Sequence, residues 1–206
     1  MKLSRAAVLW LFLSAVAFAQ SPPAVKRTAT TPWRDIERGF YLRGAAGSFF
    51  LANPPTTPGN PSPFSFGQFT QIELGYDLNE YFAAGLFLMA TANRESSSYI
   101  GKSGGTALGD FFALVPGATV RLSFVGFADE NDVKRTWLYL RGGAGYAKFY
   151  PTALLPDPDV LLFAGPGIEY FTHLRHFSIG LEVTGTYLAK GKTYGFTIAP
   201  NLRYAF

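Results

Sequence analysis

The feature of this sequence that most constrains its fold is a two-residue alternation of apolar and polar side chains. In the run 66–78, one face of an extended strand would carry the apolar residues Ile72, Leu74, Tyr76 and Leu78. The opposite face would carry small or polar residues, namely Gln71, Glu73, Gly75 and Asp77. A period of two is typical of a β-strand with one apolar face. No long segment has the 3.6-residue period of an amphipathic helix, so we predict an all-β fold.

Eight runs of this kind follow one another, separated by turn-rich segments. They cover approximately residues 39–51, 66–78, 81–94, 109–125, 136–149, 160–171, 177–188 and 195–206. Long connecting segments at 52–65 and 95–108 alternate with a tight turn at Asn79-Glu80 and a segment of intermediate length at 126–135. Short periplasmic turns and longer outer loops are typical of outer-membrane β-barrels. An even number of strands also brings both termini to one side, which we predict to be the periplasm.

Composition favours a membrane barrel over a soluble β-domain. Charged residues make up 16% of the chain, against roughly a quarter in soluble domains, while aromatic residues reach 17%. The mature chain has no run of ~20 apolar residues for a membrane helix, whereas a barrel strand needs an apolar residue only at every second position. We therefore predict an eight-stranded antiparallel transmembrane β-barrel over residues 39–206, with short periplasmic turns and longer extracellular loops.

Residues 1–19 have the pattern of a secretory signal peptide. Lys2 and Arg5 precede an apolar stretch over 6–16, and an A-x-A cleavage site is formed by Ala17 and Ala19. A retained membrane anchor is the alternative, but it needs about 20 apolar residues. Residues 20–38 are predicted to be a flexible periplasmic segment. Removing Lys2 and Arg5 from the 18 basic residues leaves 16 basic against 14 acidic residues. The mature chain is therefore close to neutral, and we expect no nucleic-acid partner.

Aromatic residues and the C-terminus also fit a barrel. Aromatic residues bunch near strand ends, as in Phe40-Tyr41 and Trp137 at one end and Phe49-Phe50 and Phe149-Tyr150 at the other. Two girdles at the membrane interfaces would explain this bunching.

One face of the last run carries Ile198, Pro200, Leu202, Tyr204 and Phe206. An aromatic C-terminus on such a strand resembles the insertion signal of outer-membrane proteins, so the barrel-assembly machinery is an expected partner during biogenesis.

Charged residues also fall on the predicted inward face of the barrel. They are Arg43, Glu73, Arg121, Arg141, Glu169, Glu182 and Arg203. An eight-stranded barrel is only wide enough for side chains to fill its interior, and an unpaired buried charge costs several kcal/mol. We therefore predict a structural salt-bridge network in a packed polar interior. A narrow gated conduit or a charged ligand site is the alternative.

Candidate catalytic and metal-ligating residues are few. Glu169 and Glu182 could be read as the carboxylate pair of a glycosidase, but no substrate cleft is apparent. His173 and His176 lack a third metal ligand nearby, and the chain has no cysteine and no G-x-S-x-G motif. We predict no enzyme, no metal site and no cofactor. Outer-membrane lipids and protein partners are expected instead, with the segments 53–63 and 95–108 as contact candidates.

Overall, residues 39–206 resemble the eight-stranded OmpA/OmpX-type outer-membrane barrels. The runs GIEYFTHLRHFSIGLE (167–182) and GFYLRG (39–44) and the YAF end also resemble the CglE family of myxobacterial adventurous-gliding motility proteins. That resemblance implies a non-enzymatic component of an envelope-spanning gliding apparatus, acting through protein contacts. The alternatives are a narrow gated outer-membrane pore and, less favoured, a small outer-membrane enzyme.

Overall fold

The alternating runs form eight β-strands in the structure, a computed structural model that describes residues 36–51, 65–94, 111–150 and 157–206. The strands are β1 (Phe40–Leu51), β2 (Ser65–Asp77), β3 (Phe82–Arg94), β4 (Phe111–Ala128), β5 (Lys134–Tyr150), β6 (Asp159–Phe171), β7 (Phe177–Leu188) and β8 (Thr193–Ala205). Each is antiparallel to its neighbours in the chain, and β1 pairs with β8 to close a barrel. The predicted eight-stranded antiparallel barrel is confirmed. No helix in these residues is long and apolar enough to cross a membrane.

The two ends of the barrel differ in their connections. At the end where β1 begins and β8 ends, the terminal end, the short segments 78–81, 129–133 and 172–176 join the strands. At the opposite end, the loop end, the segments are 52–64, 95–110, 151–158 and 189–192. The first two of these, most of the third, the predicted signal peptide and most of the predicted lead-in lie outside the described residues. Which side of a membrane each end faces stays a prediction.

The connection between β4 and β5 is shorter than the predicted segment 126–135. Asp129 organises the turn at 129–133 by accepting hydrogen bonds from the backbone N–H groups of Asn131 (2.8 Å) and Val133 (3.0 Å) and from Arg135 Nε (2.7 Å). The N–H of Val133 is the main cause of the lowered pKa of Asp129. The carboxylates of this segment stay in the turn, while backbone pairing continues through Gly126–Ala128 on β4 and reaches Lys134 on β5.

The outer face of the barrel is apolar along its strands. Ile72, Leu86 and Val120, for example, are 62%, 69% and 64% exposed. The orientation of β3, which is apolar on both faces, could not be assigned from the sequence. The structure places Phe87 and Met89 inside. Exposed apolar side chains over the whole circumference are expected of a barrel surrounded by lipid.

The interior contains two layers of different polarity. Most buried charged side chains lie in the terminal half, whereas the loop half contains an apolar cluster that includes Phe49, Phe87, Phe149 and Phe163, together with buried polar residues such as Thr91, Asn93 and Asp159. The interior is therefore most polar in the terminal half, while apolar and polar side chains are mixed in the loop half. The predicted aromatic girdles contain fewer outward-facing residues than expected, because adjacent residues of a strand face opposite sides of the barrel wall. Thus Phe40 faces outward while Tyr41 is buried inside.

Candidate functional site

The charged layer in the terminal half of the barrel is the candidate functional site. The seven predicted inward residues, Arg43, Glu73, Arg121, Arg141, Glu169, Glu182 and Arg203, are all buried in the interior, with 1–9% of their surface exposed. An eighth charged residue, Asp77, lies among them and is 5% exposed. The sequence had placed Asp77 on the inward face of its strand, but the predicted network did not include it. With Asp77, the layer has four arginines and four carboxylates.

Four of these residues form a closed ring of ion pairs, the central ring, from Arg43, Glu73, Arg141 and Glu182. Glu182 accepts hydrogen bonds from Arg43 Nη2 (2.9 Å) and Arg141 Nη1 (2.7 Å), one on each carboxylate oxygen. Glu73 Oε2 binds Arg141 Nη2 and lies 3.6 Å from Arg43 Nη1. Each arginine therefore touches both carboxylates, and the ring has no net charge.

The other four residues, Asp77, Arg121, Glu169 and Arg203, form a second closed ring, the terminal ring. Arg121 donates to Glu169, and Arg203 donates to Asp77. Longer contacts of 3.7 Å join Arg121 to Asp77 and Arg203 to Glu169. The second ring is likewise neutral, so each buried charge in the layer has opposite charges on two sides.

Two tyrosines connect the rings. The Tyr41 hydroxyl donates to Glu73 of the central ring (2.7 Å), while its aromatic ring lies 3.9 Å from the Arg203 guanidinium of the terminal ring. Tyr139 repeats the arrangement, with its hydroxyl 3.2 Å from Glu182 and its aromatic ring 5.3 Å from Arg121. The two contacts between a tyrosine ring and a guanidinium stabilise the charged arginine, because the face of an aromatic ring attracts positive charge. Each tyrosine therefore holds one carboxylate and one guanidinium in place.

A short sequence repeat underlies this arrangement. Tyr-Leu-Arg-Gly occurs at 41–44 and again at 139–142, on β1 and β5, which are four strands apart in the closed barrel. The two tyrosines lie opposite glycines of the neighbouring strand, Gly75 and Gly167. A Cβ atom on either glycine would lie 2.2–2.3 Å from the tyrosine ring. Neither tyrosine was among the predicted site residues, although this repeat is a sequence signal that points to both.

Residues 36–39 cross the terminal end of the barrel. The Arg38 guanidinium lies 5.6 Å from the Trp137 ring centre and 5.3 Å from that of Phe171, and it donates to the Glu80 carbonyl (3.4 Å). Burial lowers the pKa of Arg38. The backbone N–H of Glu37 donates to the Arg175 carbonyl (3.2 Å). The end of the predicted lead-in therefore covers the charged layer from the terminal side.

The interior leaves little space for a ligand. Two cavities in the described part of the barrel have volumes of about 10 Å³ each, enough for about one water molecule. Glu169 and Glu182, weighed above as a catalytic pair, belong to different rings and are bound by arginines. This arrangement holds both carboxylates in ion pairs and offers a glycoside no access.

The remaining predicted site residues that the structure describes lie in a turn or on the outer face of β8 and the C-terminus. His173 and His176 are in the turn 172–176, and His176 Nδ1 lies 2.9 Å from the Ala205 carbonyl oxygen. Among the described residues, no cluster of three or more histidine, cysteine or acidic side chains could hold a metal ion. The predicted insertion residues Ile198, Pro200, Leu202 and Phe206 point outward, and Tyr204 is half-buried. Ala17 and Ala19 lie outside the described residues.

Solved structures with the same architecture are found among bacterial surface proteins. Neisserial surface protein A matches with a TM-score of 0.59 and 14% identity over 82% of this chain and 97% of that one. The fold is that of the small outer-membrane β-barrels. The outer membrane protein OprG from Pseudomonas aeruginosa matches with a TM-score of 0.50 and 10% identity over 84% of this chain and 99% of that one.

Sequence comparison does not extend this likeness to a family. No protein-family model matches the chain, and no curated protein matches it. The resemblance to the CglE family has no support from these comparisons. At identities this low, the matched structures show the fold alone.

Proposed function

We propose that this protein is an integral outer-membrane barrel that acts without catalysis, as a structural or interaction component of an envelope assembly. The observation that carries the proposal is the closed interior, in which two neutral ion-pair rings lie beneath an apolar layer. The shared fold and the apolar outer face support the membrane location. In this proposal both termini face the periplasm, and the loop end faces outward.

The interior argues against the alternative of a narrow pore. A permeating ion would have to separate ion pairs in two successive rings, and unpaired buried charges cost several kcal/mol each. The same ion would then enter the apolar layer around Phe87 and Phe163, whose rings are in edge-to-face contact at 5.5 Å. Both steps oppose conduction, so the function is assigned to contacts made by the outside of the barrel.

The contact surfaces proposed for protein partners are the longer segments of the loop end, 52–64 and 95–110. Loops on a rigid scaffold are common sites of binding. The resemblance of GFYLRG (39–44) and the 167–182 run to the CglE family is the support for a place in a gliding-motility apparatus. Lipids of the outer membrane and, during biogenesis, the barrel-assembly machinery complete the proposed set of partners.

Planar-bilayer recording tests the closed interior. The refolded mature chain should give no steady channels, and its folded state should be verified by heat-modifiable migration on a gel. The matched variants are Arg141→Gln in the central ring and Arg121→Gln in the terminal ring. Steady channels in the wild type that change conductance in either variant would show that the rings line a path, and the pore would replace the present proposal.

A second experiment tests the interaction role in cells. Deletion of the gene is expected to impair surface motility or envelope integrity, and the intact chain should restore it. Variants with 52–64 or 95–110 replaced by Gly-Ser linkers should insert normally but fail to restore the phenotype. Full restoration by both linker variants would exclude these segments as the partner surface.

A further inference from the structure

Charge on the outer face of the barrel is confined to its two rims. Among strand residues whose side chains the structure describes, only Lys134 and Lys148 are charged and face outward, both on β5. Lys134 lies at the terminal end, next to the turn 129–133 with its three carboxylates. Lys148 lies at the loop end. The two rims therefore differ in their electrostatic surroundings.

Lys148 is joined at the loop end by two lysines of the turn 189–192. The last register pair between β5 and β6 at this end is Ala147 with Asp159, so Lys148 neighbours Pro158 across the seam. Lys190 Nζ donates to the carbonyl of that same Pro158 (2.6 Å). Neighbouring strands lie about 4.8 Å apart. Lys148 and Lys190 are therefore both close to the backbone of Pro158. Lys192 follows in the same turn and is also exposed.

The described carboxylates at this rim accept hydrogen bonds from backbone N–H groups and form no salt bridge with the lysines. Asp159 is 1% exposed and accepts hydrogen bonds from the backbone of Val160, Lys190 and Gly191 (2.6–2.9 Å). Asp157 accepts one from the Phe149 backbone (2.9 Å). Within the described part of the chain, no salt bridge involves the three lysines. The three lysines outnumber the two described carboxylates at this rim, Asp157 and Asp159, so these five side chains have a net charge of +1 that can attract an anion.

Aromatic rings fix the depth of this basic patch. Lys148 Nζ lies 5.6 Å from the ring centre of Tyr150, and the outward Tyr187 and Tyr194 pack together at 5.3 Å beside the turn. Aromatic residues favour the headgroup region of a bilayer. The lysines therefore lie at the level where lipid phosphates are found, above an apolar belt that acyl chains would cover.

We propose that Lys148, Lys190 and Lys192 form a binding site for the anionic phosphate headgroup of a lipid in the leaflet at the loop end. The site needs no cavity, because the apolar wall binds the acyl chains while the ammonium groups and the turn bind the phosphate. This proposal rests on the proposed membrane location, and it adds anionic lipids to the proposed partners. The turn is held by Asp159, so the lysines are presented on a fixed backbone.

The test uses the full mature chain in phosphatidylcholine vesicles, with spin-labelled phosphatidic acid or spin-labelled phosphatidylcholine as the probe. The immobilised fraction of each probe gives its relative association constant. Wild type is expected to prefer phosphatidic acid, and each single Lys→Gln change should lower that preference by roughly fivefold, the ratio expected for one basic residue near an anionic lipid. The triple variant K148Q/K190Q/K192Q should lose it.

Lys134→Gln is the matched control, because Lys134 also lies over an aromatic ring (5.7 Å from Trp137) but at the other rim. It should leave the preference unchanged. An unchanged preference in the triple variant would overturn the proposal, as would displacement of the labelled lipid by inorganic phosphate, which would indicate an aqueous anion site. Failure to insert, seen as a lack of heat-modifiable migration, would instead contradict the proposed membrane function.

Discussion

Arg43 and Arg203 lie directly opposite each other on β1 and β8, and both guanidinium groups point into the barrel. Like charges in this position repel each other. They are accommodated here because Arg43 belongs to the central ring and Arg203 to the terminal ring. Arg121 and Arg141 are opposed in the same way on β4 and β5. Each of these two seams therefore supplies one arginine to each ring, and the rings depend on both.

Removing one carboxylate of a ring should destabilise the barrel. Glu182→Gln would leave Arg43 and Arg141 each with only Glu73, and breaking a buried ion pair costs about 3–5 kcal/mol. We expect a loss of that size in the free energy of unfolding, measured by urea unfolding of the barrel in lipid vesicles. Glu130→Gln, in the exposed turn 129–133, is the control and should have little effect. Equal stability of the two variants would contradict a role for the ring.

The division into two rings predicts a pattern of coupling. In a double-mutant cycle, Arg141→Gln and Glu182→Gln remove two partners of one ring, so their effects should be non-additive by about 0.5–3 kcal/mol. Arg141→Gln and Glu169→Gln affect different rings and should be closer to additive. The free energies of unfolding of the wild type, the three single variants and the two double variants decide this. Stronger coupling between rings than within one would show that the layer is a single network.

The close approach of Tyr139 to Gly167 should make replacement of that glycine destabilising. A Cβ there would lie 2.3 Å from the tyrosine ring, and the strain of overpacking costs about 1–3 kcal/mol. Gly167→Ala is expected to lower the unfolding free energy by this amount. Gly185→Ala on the outer face is the control, because its Cβ would lie 3.7 Å from the nearest atom. A loss as large for Gly185→Ala would point to backbone effects common to all strand glycines.

Arg38 should shield Trp137 from solvent at the terminal end. In a Trp33→Phe background, Arg38→Ala removes the guanidinium that lies over the indole, so acrylamide should quench Trp137 fluorescence more strongly. Glu130→Ala removes a surface charge from the turn 129–133 at the same end. Glu130 forms no ion pair or ring contact with residues 36–38 or with the indole in the structure, so quenching should stay at its original value. Identical quenching in both variants would show that residues 36–38 do not cover this end.

Phe206 should contribute to insertion and to closure of the barrel. Its backbone N–H donates to the Phe40 carbonyl (2.9 Å), and its ring packs against Tyr204 at 5.1 Å. Deletion of Phe206 is expected to lower the amount of assembled barrel in cells, while Phe206→Tyr should preserve it. Refolding in detergent separates the two roles, because a recognition defect alone leaves refolding intact. Normal assembly of the truncated chain would remove the C-terminal residue from the insertion signal.

Several features of the fold could be predicted because they depend on local alternation. The side of β2, β6 and β7 on which each residue falls follows directly from the two-residue period, and the faces assigned to Glu73, Glu169 and Glu182 match their burial. The apolar faces of β3 could not be distinguished in this way, since both are apolar. The ends of β4 and β5 that face each other across the turn 129–133 extend a few residues beyond the predicted bounds, because backbone pairing continues through Gly126–Ala128 and reaches Lys134.

The sequence by itself determined the number of strands, their order and the inward face of the seven predicted charged side chains, because these follow from neighbours along the chain. Only the tertiary structure decided which charges meet. Arg43 and Glu182 are 139 residues apart, and they come together because closure of β1 on β8 brings β1 close to β7. The division into two rings likewise depends on the stagger of the closed barrel, which no local pattern encodes.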